Sequence, residues 1–277
     1  MPQNPKTLKT YYTQGNPLPN PKGKAGKYTT GRKDKLSRTE NTVTGTEESR
    51  FRKYICEIFG TATLVFIGCG TAMTIGCDVI GGYLATAFAF GLALIAMAYS
   101  IGNCSGCHIN PAVSIAMLIA GRMEARTCLG YIISQILGAL LGTAGLSAVF
   151  RFGRLADLTG GFGANGLTGV NGSIAAGLLV EVILTFIFVL CILGATDGKY
   201  GDTKIAGLII GLVLIGVHII GIRLTGTSVN PARSLAPAIF AALTGNRQPL
   251  REIWIFVVAP IVGGGLAAGL YNGIVRK

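Results

Sequence analysis

The sequence predicts an all-α membrane protein with six transmembrane helices and two re-entrant half-helices, arranged as an inverted repeat. Three observations carry that expectation. Six apolar windows are long enough to cross a bilayer, two shorter apolar stretches each contain Asn-Pro-Ala, and one carboxylate motif opens each half.

The windows cover roughly residues 54–76, 82–101, 127–150, 174–194, 205–224 and 252–274. Each comes near the ~20 residues that a helix needs to cross about 30 Å of hydrocarbon. Composition agrees, because half of the 277 residues are apolar and only 13% are charged. The 41 glycines supply small surfaces through which membrane helices pack closely.

Residues 1–50 are of another kind, rich in Lys, Thr, Asn, Pro and Gly and without a sustained apolar run. They read as a basic, disordered tail and contain no signal-peptide core. Through residue 53 the chain has 12 of its 24 Lys and Arg but only 4 of its 12 acids. Positive charge stays inside, so both ends of a six-span protein are expected in the cytoplasm, in the plasma or inner membrane. That topology puts 18 Lys and Arg inside and six outside. The membrane-embedded domain is expected over 51–277, with inverted halves at about 51–150 and 174–277, and the lipid bilayer is its surroundings.

The repeat locates the half-helices. INPAVSIAMLI covers 109–119 and VNPARSLAPAIFAA covers 229–242, with Asn110 and Asn230 separated by 120 positions. Glu57-x-x-x-Thr61 and Glu181-x-x-x-Thr185 precede them by 53 and 49 residues. Three spans per copy is an odd number, so the second copy enters the membrane from the opposite side. In each box Pro111 or Pro231 suits a first helical turn, and Asn110 or Asn230 suits the cap before it. Ala112 and Ala232 complete the boxes. Irregular backbone at such depth requires a protein cover or a water-filled cavity. Glu57 and Glu181 are expensive inside a span, so they are expected to accept the loop amides. A proton relay is the weaker reading, since one acid per half makes no chain across the membrane.

Seven cysteines imply no disulfide framework, and most lie within spans. The stretch Asn103–Ala112 also matches Cys-x-x-Cys-His, the spacing of covalent haem attachment. A membrane redox protein is therefore a rival class. It needs an oxidising outer location for this loop, whereas charge bias places the loop inside. A covalent haem spectrum would decide for it.

On the two Asn-Pro-Ala boxes, the Glu-x-x-x-Thr openings, Ser105-Gly106-x-His108-x-Asn110, Thr227–Ser234 and Ala259–Gly264, residues 51–277 resemble the aquaporin family, the major intrinsic proteins. The resemblance implies six tilted helices and two half-helices around one pore per subunit, and a homotetramer. It implies passive, single-file water transport that excludes protons and ions. No enzymatic activity, cofactor, metal or nucleic-acid partner is expected.

Helical rise places Phe90 about 12 Å below the outer end of the second span. His218 lies six residues before the outer end of the fifth, and Arg233 lies three residues after Asn230. Polar side chains at such depth mark a pathway. In the family, these positions and the one matching Thr227 form the selectivity filter. A shift of 120 sets Ile210, Ala98 and Val113 opposite Phe90, His218 and Arg233, so only the outer half is expected to select. Phe plus His favours water over glycerol, and Ser234 and Ala238 match the water-selective type. A glycerol facilitator is the alternative; Phe256-Val257 in the sixth span departs from the usual water-channel pair. Cys107 and His108 are candidate lining residues of the inner pore. Cys107 stands three before Asn110 as Thr227 stands three before Asn230, which predicts that a thiol reagent at Cys107 slows flow.

Overall fold

A computed structural model describes the backbone of residues 33–79 and 81–275, and side chains from Glu47 onward. The helices are α1 (Lys33–Ile75), α2 (Gly82–Ser105), α3 (Pro111–Ile119), α4 (Ala125–Gly153), α5 (Ile174–Ala195), α6 (Ala206–Thr225), α7 (Pro231–Leu243) and α8 (Gln248–Leu270). A short 3-10 turn, Thr168–Val170, precedes α5, and a π-helical turn, Tyr271–Val275, ends α8.

Six of these helices are long and apolar enough to span a membrane: Glu47–Ile75 within α1, and α2, α4, α5, α6 and α8 with its last turn. The expected spans and half-helices are therefore present. The second span runs four residues beyond its expected end, to Ser105, where Gly106 at φ +84° accepts the left-handed cap that stops it. α1 begins inside the stretch read as a tail, so residue 50 marks a change of composition and not the start of the helix. The disorder expected for residues 1–32 lies outside the described residues.

Exposed and buried faces are sorted by membrane logic. On α4, Leu129, Ile133, Leu137 and Leu141 recur every fourth residue and are exposed, while Gln135, Gly138, Gly142 and Thr143 are buried. Apolar side chains cover the outside of this helix, and its polar and small ones lie on the buried side. Glycine makes the central contacts possible. Gly138 of α4 lies against the Ile58 carbonyl of α1, and Gly263 of α8 lies against the Val182 carbonyl of α5; a Cβ at either would overlap that carbonyl.

The same contacts reveal the symmetry. Gly91 faces the carbonyl of Gly211 and the side chain of Ile215, while Gly211 faces the carbonyl of Gly91 and the side chain of Ile95. These reciprocal pairs hold the 120-residue offset of the boxes, so α2 and α6 cross about the pseudo-twofold axis. Spans alternate in direction, which puts the ends of α2 and α5 and the starts of α4 and α6 on one face with the end of α8, the terminal face. Contacts tie it together: Tyr99 Oη donates to the Lys204 carbonyl at 3.1 Å, and Arg122 pairs with Asp197 at 2.8 Å.

Candidate functional site: two opposed half-helices and a one-sided constriction

The loops before α3 and α7 follow one backbone plan. Gly106 and Gly226 have φ +84° and +76°, Cys107 and Thr227 have +51° and +49°, and Ile109 and Val229 have +42° and +43°. Left-handed φ at non-glycine residues is costly and persists only where surroundings hold it. Here the holder is a carboxylate in each half. Glu57 accepts from His108 N at 3.0 Å and Ile109 N at 2.6 Å; Glu181 accepts from Ser228 N and Val229 N, both at 2.8 Å. Hydroxyls add matching bonds, Ser105 to Glu57 at 2.7 Å and Thr225 to Glu181 at 2.6 Å. Both glutamates are fully buried, and these donors are what makes a carboxylate tolerable there.

The two loops then reach one another. Asn110 Oδ1 caps α3 by accepting from Ala112 N at 2.8 Å, and Asn230 Oδ1 caps α7 by accepting from Ala232 N at 3.1 Å. Asn110 Nδ2 donates to the Val229 carbonyl at 2.7 Å, while Asn230 Nδ2 donates to the Ile109 carbonyl at 2.9 Å. Pro111 and Pro231 occupy the first helical turns, and Ala112 and Ala232 are buried behind them. An amide has two N–H donors. One on each asparagine is therefore left for the cavity that Asn110 and Asn230 both line.

That cavity is narrow and is lined also by Leu64, Phe90, Leu94, His108, Ile109, Phe188, Leu214, His218, Ser228, Val229 and Arg233. Phe90, His218 and Arg233 come together along it. The Phe90 and His218 rings stack with centroids 4.6 Å apart, and the Arg233 guanidinium sits 4.9 Å from the Phe90 centroid. Gly68 of α1 makes room, since a Cβ there would overlap the Phe90 ring.

Hydrogen bonds fix what this cluster offers. His218 Nδ1 lies 2.9 Å from the Leu214 carbonyl. A carbonyl only accepts, so Nδ1 is assigned the proton and Nε2 is left as an acceptor. Arg233 Nη1 donates to the Gly163 carbonyl at 2.9 Å and Nη2 to the Gly226 carbonyl at 3.4 Å. His218 Nε2 and Arg233 Nε are buried without a partner among the described residues. One acceptor and one donor thus stand unpaired at the constriction, alongside an aromatic face. Such a surface suits a small molecule that both donates and accepts.

Two expected lining residues are placed elsewhere. Thr227 does not line the cavity, and its side chain packs against Gly221 of α6. Cys107 likewise is not among its lining residues, and lies half-buried against the edge of the hydrophobic core. The pairing of 107 with 227 survives in the backbone, where both have left-handed φ, and neither side chain is among those lining the cavity. His108 is the residue that lines the cavity, and it also borders the vestibule on the terminal face with Arg50, Lys53, Arg122 and Tyr131. Its Nδ1 lies 3.1 Å from Ser114 Oγ.

Other contributors were not visible in the sequence. Gln135 Nε2 donates both to Glu57 at 2.8 Å and to Ser114 at 3.0 Å. Asn165, in the loop before α5, accepts from Ser234 Oγ at 2.8 Å and donates to the Thr225 carbonyl at 3.1 Å. Cys104 and Cys107 are free thiols, and no cluster of three or more metal-ligating side chains occurs among the described residues.

Inverted halves that bring two capped half-helices together around a buried cavity define a membrane channel of the inverted-repeat type. The chain belongs to the major intrinsic protein family, whose model matches residues 45–271. It is 39% identical over 226 residues to Aquaporin Z of Bradyrhizobium diazoefficiens, a match that covers 80% of this chain and 92% of that protein. It is also 39% identical over 230 residues to Aquaporin Z of Brucella melitensis biotype 1, covering 81% and 98%. Glycerol uptake facilitator protein-like 6 of Lactiplantibacillus plantarum is 42% identical over 218 residues, covering 78% and 95%. Among solved structures, the aquaglyceroporin from Plasmodium falciparum shares the fold, with a TM-score of 0.74 at 24% identity, covering 82% of this chain and 97% of that one.

Proposed function

We propose that this protein is a passive water channel, with Phe90, His218 and Arg233 as its selectivity filter and Asn110 and Asn230 at its centre. The observation that carries the reading is the filter geometry: a ring stack at 4.6 Å with a guanidinium 4.9 Å from one ring. Bulk there leaves room for water and little for a three-carbon polyol. Water entering the apolar tube loses hydrogen bonds and recovers them at His218 Nε2, at Arg233 and at the two Asn amides.

At the centre, one water oxygen accepts from both asparagines, so its hydrogens point away along the file and a proton wire is interrupted. The half-helix N-termini and Arg233 make the region positive, which opposes cations. This is the general explanation of proton and cation exclusion in aquaporin-type pores. No bond is made or broken, so the protein acts as a transporter and not as an enzyme. The excess of Lys and Arg expected at the terminal face supports a cytoplasmic location for both chain ends. Exposed apolar rows on α4 and α6 are available to lipid and to neighbouring copies in a homotetramer.

One observation favours a second reading, transport of glycerol: a relative at 42% identity is named a glycerol uptake facilitator. Stopped-flow shrinkage of protein-containing vesicles separates the two. A water channel gives fast, low-activation-energy shrinkage with slow glycerol entry, and His218→Gly raises glycerol entry. Fast glycerol entry in the unaltered protein would establish the alternative, and water flow and glycerol entry both equal to those of empty vesicles would refute both.

A further inference from the structure

We infer that Asp157 and Thr159, in the loop between α4 and α5, are positioning residues for the filter: they fix the Gly163 carbonyl that holds Arg233. The inference rests on the filter assignment above and deepens it.

A chain of hydrogen bonds links the two residues to the filter. Asp157 Oδ1 accepts from Thr159 N at 2.9 Å and from Thr159 Oγ1 at 2.6 Å, and Asp157 Oδ2 accepts from Phe162 N at 2.7 Å. Thr159 Oγ1 in turn accepts from Gly163 N at 2.8 Å and, more weakly, from Gly161 N at 3.4 Å. Gly163 then presents its carbonyl to Arg233 Nη1 at 2.9 Å. The amides on either side of Phe162 are therefore tied to one carboxylate, directly or through one hydroxyl.

The loop needs such ties, because its backbone is unfavourable by itself. Phe162 and Gly163 have φ +57° and +67°, and Gly163 lies so close to α1 that a Cβ would sit 3.3 Å from Cys69 Cα. Anchors at both ends, Leu158 N to the Met73 carbonyl at 3.0 Å and Gly166 N to the Thr225 carbonyl at 3.2 Å, set the loop in place, and Ala164 N, in the same peptide as the Gly163 carbonyl, donates to the Gly161 carbonyl at 3.0 Å. Asp157 and Thr159 hold the preceding peptides of this turn through Gly161 N, Phe162 N and Gly163 N, and so set where the turn presents the Gly163 carbonyl. Among the described residues Arg233 has one other acceptor, the Gly226 carbonyl at 3.4 Å. Freeing Gly163 thus removes the shorter of its two bonds, and the guanidinium gains freedom to leave the constriction.

The test compares water with glycerol permeability per folded protein in vesicles. In Thr159→Val and in Asp157→Asn the water-to-glycerol ratio falls roughly fivefold, the statistical weight of one lost hydrogen bond. Thr159→Ser keeps the hydroxyl and keeps the ratio, an outcome that a merely structural role for the loop would not single out. Using two variants guards against one that fails to fold. An unchanged ratio in both, with Arg233→Val lowering it, overturns this inference and leaves the filter standing. An unchanged ratio in Arg233→Val overturns the filter assignment and this inference with it.

Discussion

The first and second re-entrant loops have nearly the same backbone and very different chemistry. The positive φ angles from residue 106 to 109 agree within about 10° with those from 226 to 229, and each loop hangs from one buried glutamate. At the offset of 120, Ile210, Ala98 and Val113 stand where the other half has Phe90, His218 and Arg233. Backbone construction is thus duplicated, whereas the constriction is built once. Extra bracing is also unequal. Gln135 clamps the first loop, and the position that packs equivalently on α8 is Pro260, which has no such donor. After the first half-helix Arg122 pairs with Asp197 and donates to the Leu193 carbonyl at 3.0 Å, whereas the position 120 residues on is Ala242, still inside the longer α7. A shared scaffold with one specialised half means that folding and selectivity can be broken separately.

Removing the scaffold has the largest effect. Glu57→Ala or Glu181→Ala leaves two buried amides unpaired, at about 1–3 kcal/mol for each orphaned group. Thermal unfolding in detergent should show a collapse in folded protein for both variants, equally in the two halves; wild-type melting in either would break the equivalence. Gln135→Leu is milder, costing about 1 kcal/mol for its lost donor, offset because Gln135 Oε1 is itself buried without a partner among the described residues. Its melting temperature falls while the water-to-glycerol ratio holds, which would mark bracing as separate from selection.

Thiol labelling sharpens the placement of the first loop. Cys104 lines an open pocket with Arg52 and Asn103 on the terminal face, while Cys107 packs against the hydrophobic core. A water-soluble maleimide therefore labels Cys104 before Cys107, and modification of Cys107 is not what slows flow. Mass spectrometry of partially labelled protein reads this directly; prior labelling of Cys107 would restore it to the pore.

The smallest effect concerns Asp197. The Lys199 backbone N–H, at 2.8 Å, is the main cause holding its carboxyl below the usual carboxylate range, with Arg122 adding to it. A depressed value means that the stabilisation is present above the ordinary pKa of about 3.9 and is lost as pH falls through the lower folded value. Hydrogen-exchange protection of Lys199 and Tyr200, corrected for intrinsic rates, should be the same at pH 8 and pH 5. In Asp197→Asn it should be weaker at both.

Much of this was legible because it repeats or has a period. Span lengths, the two boxes, and Glu57 and Glu181 at matching distances all follow from linear spacing, and they led to the two carboxylate clamps. Phe90, His218 and Arg233 came together because two lie on regular helices and the third follows a capped turn. Thr227 and Cys107 are not among the side chains that line the cavity; they sit in irregular loops with left-handed φ, where linear spacing does not encode the direction of a side chain. Asp157, Asn165 and Gln135 were missed because their partners are distant in sequence or reached through backbone amides. No residue pattern announces a carbonyl such as that of Gly163.

The central claim is that selection resides in one half. Converting that half to its partner's residues, with Phe90→Ile, His218→Ala and Arg233→Val combined, leaves both glutamate clamps and both asparagines in place. Stopped-flow glycerol entry into vesicles, per folded protein, is the direct measurement. The account predicts a rise of about tenfold or more, a barrier lower by at least ~1.4 kcal/mol. Glycerol entry unchanged from the unaltered protein, with water flow retained, would contradict it.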